Sequence, residues 1–173
     1  MVNWCSFMKD YKNIERGKVM TAVDYGKTNW SQSVGGVCIK DGKVLLARQT
    51  YGKGKGMLII PGGYVDFGEI PEETLAREFK EETGVSVKAG RLMGIRFSAK
   101  DWYAVFEADY IDGEARSDGD ENDLVVWMDV DDAMKDETVP ELTKKMIQCA
   151  ISGKGFELIP YDSKTDGRRL YSL

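Results

Sequence analysis

The side chains best suited to chemistry lie between Gly63 and Val85, in the stretch GYVDFGEIPEETLAREFKEETGV. Glu78, Glu81 and Glu82 stand at i, i+3 and i+4, so on a helix all three project from one face. Neighbouring carboxylates repel one another and push one another's pKa values up unless positive charge offsets them. Arg77, four residues before Glu81, offers one such charge, and the stretch then reads as a solvated acidic face. A divalent cation offers the other. Hard cations such as Mg²⁺ take carboxylate oxygens, keep several waters and fill the rest of their shell with substrate phosphate oxygens. Gly62-Gly63, at the head of the stretch, lets backbone approach the same place.

The element that must carry these groups is marked at both ends. Pro71 suits the first position of a helix, where its missing N–H costs nothing, and Glu72 and Glu73 put negative charge at the helix N-terminus. Gly84 is a left-handed stop, which predicts a helix of about three and a half turns from Pro71. Leu75 and Phe79, four apart, give it an apolar stripe to bury.

Spelled as G-x5-E-x7-R-E-U-x-E-E-x-G-U, with U a bulky apolar residue, the stretch resembles the Nudix box. Gly63, Glu69, Arg77, Glu78, Glu81, Glu82 and Gly84 fill every fixed position, and Phe79 and Val85 fill the two apolar ones. At ordinary residue frequencies such a match arises by chance in roughly one window in a billion, so the spacing is specific. Phe79 stands where an aliphatic residue is usual, a departure that bears on packing.

Composition narrows the alternatives. The 173 residues are 42% hydrophobic and 31% charged, as in a single globular domain. No run of 18 apolar residues exists to span a membrane, and the opening MVNWCSFMKDYK lacks the apolar core of a secretory signal. A cytoplasmic location is the expectation. Cys5, Cys38 and Cys149 are widely spaced and read as reduced and mostly buried. The chain has no histidine, which removes Ser-His-Asp and Cys-His machinery and leaves general-base work to carboxylates, lysine or metal-bound water. A net charge of −5 argues against a generic nucleic-acid surface and remains compatible with a small phosphate substrate screened by metal.

Along the chain, residues 1–32 form an aromatic, mixed-charge extension, expected to pack on the domain or at a homodimer interface, with Val19 to Val23 as a short strand. Ser33 to Ile39 and Lys43 to Arg48 flank Asp41-Gly42, a hairpin signal. Arg48, and Lys53 and Lys55 in the glycine-rich loop after it, are candidate phosphate contacts, set against the plain reading of a solvated basic loop. Met57 to Ile60 reads as a buried strand, Ser86 to Lys88 and Leu92 to Ala99 as two more, and Trp102 to Tyr110 as a central one. Asp112 to Asp123 is an acidic surface loop, and Leu124 to Trp127 a strand. Asp129 to Met134 suggests a helical turn. A helix from Pro140 to Gly153 carries Leu142, Met146, Ile147 and Ile151 on its core face. Phe156, Leu158 and Tyr161 suggest a final strand before a polar, loosely attached tail. Residues 33–153 are the domain and 154–173 its C-terminal strand and tail.

The resemblance implies an α+β fold, the Nudix α/β/α sandwich with a mixed β-sheet and a glutamate-rich catalytic helix. It implies hydrolysis of the pyrophosphate in a nucleoside diphosphate linked to another group, with a non-catalytic nucleotide-binding module of the same fold as the alternative. Glu78, Glu81 and Glu82 would ligate Mg²⁺ or Mn²⁺, with the carbonyl of Gly62 or Gly63 as a further ligand. Arg77 would hold Glu69 and orient the carboxylates. Glu81, Glu82 or Glu121 would be the general base; Glu121 enters because some relatives place a catalytic or metal-binding glutamate six residues before the Trp127 position, with Asp118, Asp120 and Asp123 as competitors for that place. Tyr103 falls near a tyrosine used by diadenosine polyphosphate hydrolases, against a plain reading as part of a packed strand. The array SQPWPFPxS of NADH pyrophosphatases is missing. Nucleoside triphosphates, NDP-sugars and ADP-ribose all remain open as substrates.

Overall fold

A computed structural model describes residues 31–160 and 169–173. The expectations for the extension, its strand and Cys5, and for Tyr161, lie outside these residues. In chain order the elements are β1 (Ser31–Val37), β2 (Ile39–Lys40), β3 (Lys43–Gln49), β4 (Leu58–Ile59), α1 (Pro71–Thr83), β5 (Ser86–Phe97), β6 (Asp101–Asp112), β7 (Asn122–Asp129), α2 (Val130–Lys135), α3 (Glu141–Ser152), β8 (Glu157–Leu158) and β9 (Tyr171–Ser172).

The strands form two main sheets. In one, β6 is central, parallel to β1 and antiparallel to β5. In the other, β3 pairs antiparallel with β2, β4 and β7. Asp41 and Gly42 turn the chain with φ of 51° and 75°, the two positive values of a tight hairpin turn. That hairpin is short. Only Ile39 and Lys40 pair with β3, because the chain changes sheets at Cys38 and β1 goes to β6 instead. Strand alternation explains why both partners are needed: successive residues face opposite sides, and here both sides are covered.

Leu45 packs with Val34, Phe106, Leu75 and Phe79 in one apolar cluster, under α1. Its neighbours Val44 and Leu46 pack with Val37, Val105, Ala133 and Ile147 in another, under α2 and α3. Helices therefore cover both sides of the sheets, the α/β/α arrangement expected. The two strands expected at Ser86 and Leu92 are one long strand, β5, with register shifts between Ala89 and Gly94 that bend it without breaking the pairing to β6. Pro140 lies just outside α3, at the position before its first turn, and the buried positions are Thr143 and Ile147. Ile151, expected on the core face, is exposed.

α1 runs from Pro71 to Thr83, with Gly84 left-handed at φ 71° as its stop. Glu73 accepts the Ile70 amide at 3.1 Å, satisfying a backbone donor at the helix start. Leu75 and Phe79 are fully buried, worth about 1.5–3 kcal/mol each. They come close to the sheet because β1 has Gly36 beneath them: a Cβ there would lie 2.9 Å from Leu75 Cδ1 and from Phe79 Cε2. The last residues are not loose, contrary to the expectation for the tail. β9 pairs with β8, and the Tyr171 ring meets Phe106 edge-on while its hydroxyl donates to Glu72 on α1 at 2.9 Å. An apolar ring next to an open core position outweighs the polar character of its neighbours.

Candidate active site

The loop before α1 is held against β1. Val34 N–H donates to the Gly63 carbonyl at 2.9 Å, and Gly36 N–H to the Pro61 carbonyl at 3.1 Å. Between them Gly62 adopts φ 151°, and a Cβ on it would lie 2.1 Å from the Val34 carbonyl oxygen, so only glycine fits. Its amide is thereby aimed at α1 and donates to Glu82 Oε2 at 3.0 Å.

A cavity of about 930 Å³ opens beside this loop. Glu78 lines it from α1, Glu121 and Asp120 from the loop before β7, and Gly62 and Gly63 from the turn. A smaller pocket of about 70 Å³, lined by Glu82, Glu121 and Asn122, adjoins Gly62 and Tyr51. Glu78 is 14% exposed. Burial pushes the Glu82 carboxyl up to about 8, with the negative charges of Glu78 and Glu121 adding to it, and burial likewise raises Glu78 against the opposing pull of Arg77. Glu81, at the other edge of the helix face, is 61% exposed and points to solvent. The helix thus divides the three glutamates: two withdrawn toward the cavity, one outside.

Arg77 ties this face together. Its Nε and Nη2 donate to the two oxygens of Glu69 at 2.9 and 3.1 Å, its Nη1 to Glu78 at 2.8 Å and Glu81 at 3.1 Å, and Nη2 also to the Tyr64 carbonyl at 3.2 Å. Arg77 beside it, and the Thr74 hydroxyl, hold the Glu69 carboxyl below its ordinary range despite partial burial.

Three residues without any signal in the sequence complete the arrangement. Tyr51 donates its hydroxyl to Glu121 Oε2 at 3.0 Å, and Thr50 donates its amide to the Glu121 carbonyl, also at 3.0 Å. Asn122, 3% exposed, donates Nδ2 to the Glu82 carbonyl at 2.9 Å, joining the start of β7 to the end of α1. Tyr103 lines the cavity from β6, with its hydroxyl over Gly35, where a Cβ would lie 2.0 Å away. Arg48 is bonded to Asp123 at 2.7 Å. Arg48, Lys53 and Lys55 lie outside the cavity lining. Cys38 is buried and its thiol is pushed up to about 12, which removes it as a nucleophile.

The donor set suits a hard divalent cation: carboxylate oxygens, two of them withdrawn from solvent and repelling each other, beside a backbone turn. As the side chains stand, no three acidic or thiol groups among the described residues are gathered into a ligand shell. Arg77 occupies Glu78 and Glu81, so a cation would exchange places with one of its donors. The Gly63 carbonyl already accepts Val34 N–H, while that of Gly62 forms no such backbone bond.

The NUDIX domain family model matches residues 30–148. An ADP-ribose pyrophosphatase of Methanocaldococcus jannaschii is 38% identical over 95 residues, 51% of this chain and 56% of that protein. An NAD-capped RNA hydrolase of Vibrio atlanticus is 37% identical over 92 residues, 52% of this chain and 34% of that one. The chain thus spans about half or less of the length of these curated relatives. A crystal structure of a NUDIX hydrolase from Nitrosomonas europaea superposes with TM-score 0.64 at 21% identity, over 74% of this chain and 76% of that one, a likeness of fold. With the box filled at every fixed position and the family model spanning most of its length, the chain belongs to the NUDIX domain family.

Proposed function

We propose that the protein is a divalent-cation-dependent pyrophosphohydrolase acting on a nucleoside diphosphate linked to a second group. The observation that carries this reading is the meeting of Glu78 on α1 with Glu121 from the opposite side of one cavity, beside Glu82 and the Gly62-Gly63 turn. Water attacks one phosphorus of the pyrophosphate; its oxygen forms the new P–O bond, the bridging P–O bond breaks, and the two products are a nucleoside monophosphate and the phosphorylated second group. Mg²⁺ or Mn²⁺, held by Glu78, Glu82 and, after release from Arg77, Glu81, with the Gly62 carbonyl, would neutralise the phosphate charge and acidify water.

The chain's own residues do the rest. The Gly62 amide fixes the Glu82 carboxylate. Arg77, through Glu69 and Glu78, fixes the orientation of the helix face. Among the candidates for general base we favour Glu121, which lines the larger cavity, whereas Glu81 faces solvent and Glu82 lines only the smaller pocket. ADP-ribose and NAD, in the names of the two relatives, share an adenosine diphosphate joined to a second ribosyl group, which supports the substrate class.

The test is a panel of nucleoside triphosphates, NDP-sugars, ADP-ribose, NADH and dinucleoside polyphosphates with Mg²⁺ or Mn²⁺, scored for monophosphate products. Turnover that vanishes in Glu82→Gln and drops in kcat in Glu121→Gln is expected. A Glu121→Gln enzyme with unchanged kcat would remove Glu121 as base. Tight nucleotide binding without turnover by the wild-type protein would favour the non-catalytic module.

The same proposal places the protein in the cytoplasm, consistent with free Cys38 and Cys149. No helix among the described residues is long and apolar enough to cross a membrane. Pairing of two copies through residues 1–32 belongs to it as well, and light scattering on the full chain and on a chain starting at Ser33 would test it.

A further inference from the structure

On its α3 side the cavity has polar groups that the hydrolysis above does not use. Thr143 is 4% exposed and lines the cavity, and its hydroxyl forms no hydrogen bond with any described residue. The side chain is fixed by its burial while the hydroxyl opens on the cavity, a donor and acceptor free to meet a ligand's polar atom. Thr143 is also in the first turn of α3. Pro140, the residue before that helix, has no side chain that could cap it, and Lys144 is the first residue of the helix whose N–H bonds back, to the Pro140 carbonyl at 3.0 Å. The amides ahead of it have no intrahelical acceptor, and such a helix start attracts anions.

Arg96 reaches the same region from β5. The helix runs antiparallel to that strand: Arg91 donates to the Gly153 carbonyl at the far end of α3, and a methyl at Gly94 would lie 3.8 Å from Met146 Sδ. Two residues further on the same face of β5 comes Arg96, and one turn back along α3 comes Thr143. Both line the cavity. The Arg96 guanidinium lies over the Tyr103 ring at 5.4 Å and gives a donor to Asp101, which leaves others of its five N–H groups for a ligand. Glu141 does not oppose an anion here, since it is exposed and paired with Lys145 at 3.4 Å.

We propose that Arg96, Thr143 and the first turn of α3 form an anion subsite for a second phosphoryl group, making the preferred substrates nucleotide pyrophosphates that also carry a phosphate monoester. Hydroxyl, guanidinium and helix amides are donors set in different directions, which suits the three terminal oxygens of a phosphoryl group better than the two of a carboxylate. A cavity of about 930 Å³ has room for the extra group. The substrate preference rests on the pyrophosphohydrolase reading; the anion subsite does not.

Two arms of one experiment separate them. By calorimetry, adenosine 3′,5′-bisphosphate is expected to bind the wild-type protein about tenfold or more tightly than adenosine 5′-monophosphate, the worth of a hydrogen bond to a charged group. That ratio should fall toward one in Arg96→Gln and in Thr143→Val, with matched thermal midpoints showing that both variants fold. In the kinetic arm, kcat/KM is compared within pairs that differ by one phosphate, coenzyme A against dephospho-coenzyme A and NADPH against NADH. The phosphorylated member should lead, and the lead should shrink in both variants. Equal binding of the two adenosine nucleotides overturns the subsite, and a ratio that survives both substitutions overturns its residues. Turnover of the pairs without preference overturns the substrate class. A binding preference with no turnover of any pair supports the subsite and overturns the hydrolase reading.

Discussion

Arg77 donates to Glu69, Glu78, Glu81 and the Tyr64 carbonyl at once, so its removal releases Glu78 on the cavity face, Glu81 outside it and the loop that precedes α1. Arg77→Gln is expected to lower kcat/KM by about 10- to 100-fold, the usual effect of losing a group that orients metal ligands. Arg77→Lys should not restore it, because a point charge cannot make the planar fork with Glu69. Glu82 makes a second prediction at this scale. Its folded value, about 8, lies above the ordinary 4.5, so between those values the folded chain holds a proton that the unfolded chain has released. Without divalent cation, stability should be full below about pH 4.5 and decline as pH rises toward 8. Added Mg²⁺ should reverse the decline at pH 8 with release of protons, measurable as a buffer-dependent calorimetric heat. A metal-free melting temperature that rises over that range would remove Glu82 as the buried acid.

At the scale of elements, α1 is anchored by a short list of contacts. Phe79→Ala should destabilise by about 3–5 kcal/mol, read from urea unfolding, because the ring sits fully buried over Gly36 between α1 and the sheet. A loss below about 1 kcal/mol would mean that the helix is held by something other than this stripe. The same helix was legible in the sequence almost to the residue, since Pro71, Gly84 and the Leu75–Phe79 spacing act locally. β1 was less so. Its hairpin signal at Asp41-Gly42 is real, but the pairing of Ser31–Val37 with β6 depends on partners distant in sequence, which no local pattern encodes. The site divides along the same line. Glu78, Glu82 and Arg77 ride on a helix with its own periodicity and could be placed in advance. Tyr51, Asn122, Arg96 and Thr143 arrive from a loop, a strand start, an edge strand and a helix turn whose convergence is set by the packed sheets. Glu81 shows the limit from the other direction: spacing put it on the acidic face, and only the tilt of the packed helix decides that it looks outward.

Across the whole molecule, the C-terminal residues close onto the first turn of the helix that carries the glutamates. Tyr171 donates to Glu72, and Arg169 approaches the same carboxylate at 3.4 Å. Tyr171→Phe keeps the ring on Phe106 and removes one hydrogen bond to a part-buried carboxylate. It should cost about 1 kcal/mol and lower Tm by about 2–4 °C in a calorimetric scan. An unchanged Tm would mean that the ring alone holds β9. The parallel pairing of β1 with β6 reaches further than stability, because the entire glutamate helix lies inside the loop that this pairing closes. During synthesis the helix leaves the ribosome well before β6 does, with its Leu75–Phe79 face unseated and its acidic groups in open water. Every side chain proposed for catalysis except Glu121 therefore exists in the nascent chain for seconds before there is a cavity to hold it, and the proposed competence for nucleotides would come in a single late step.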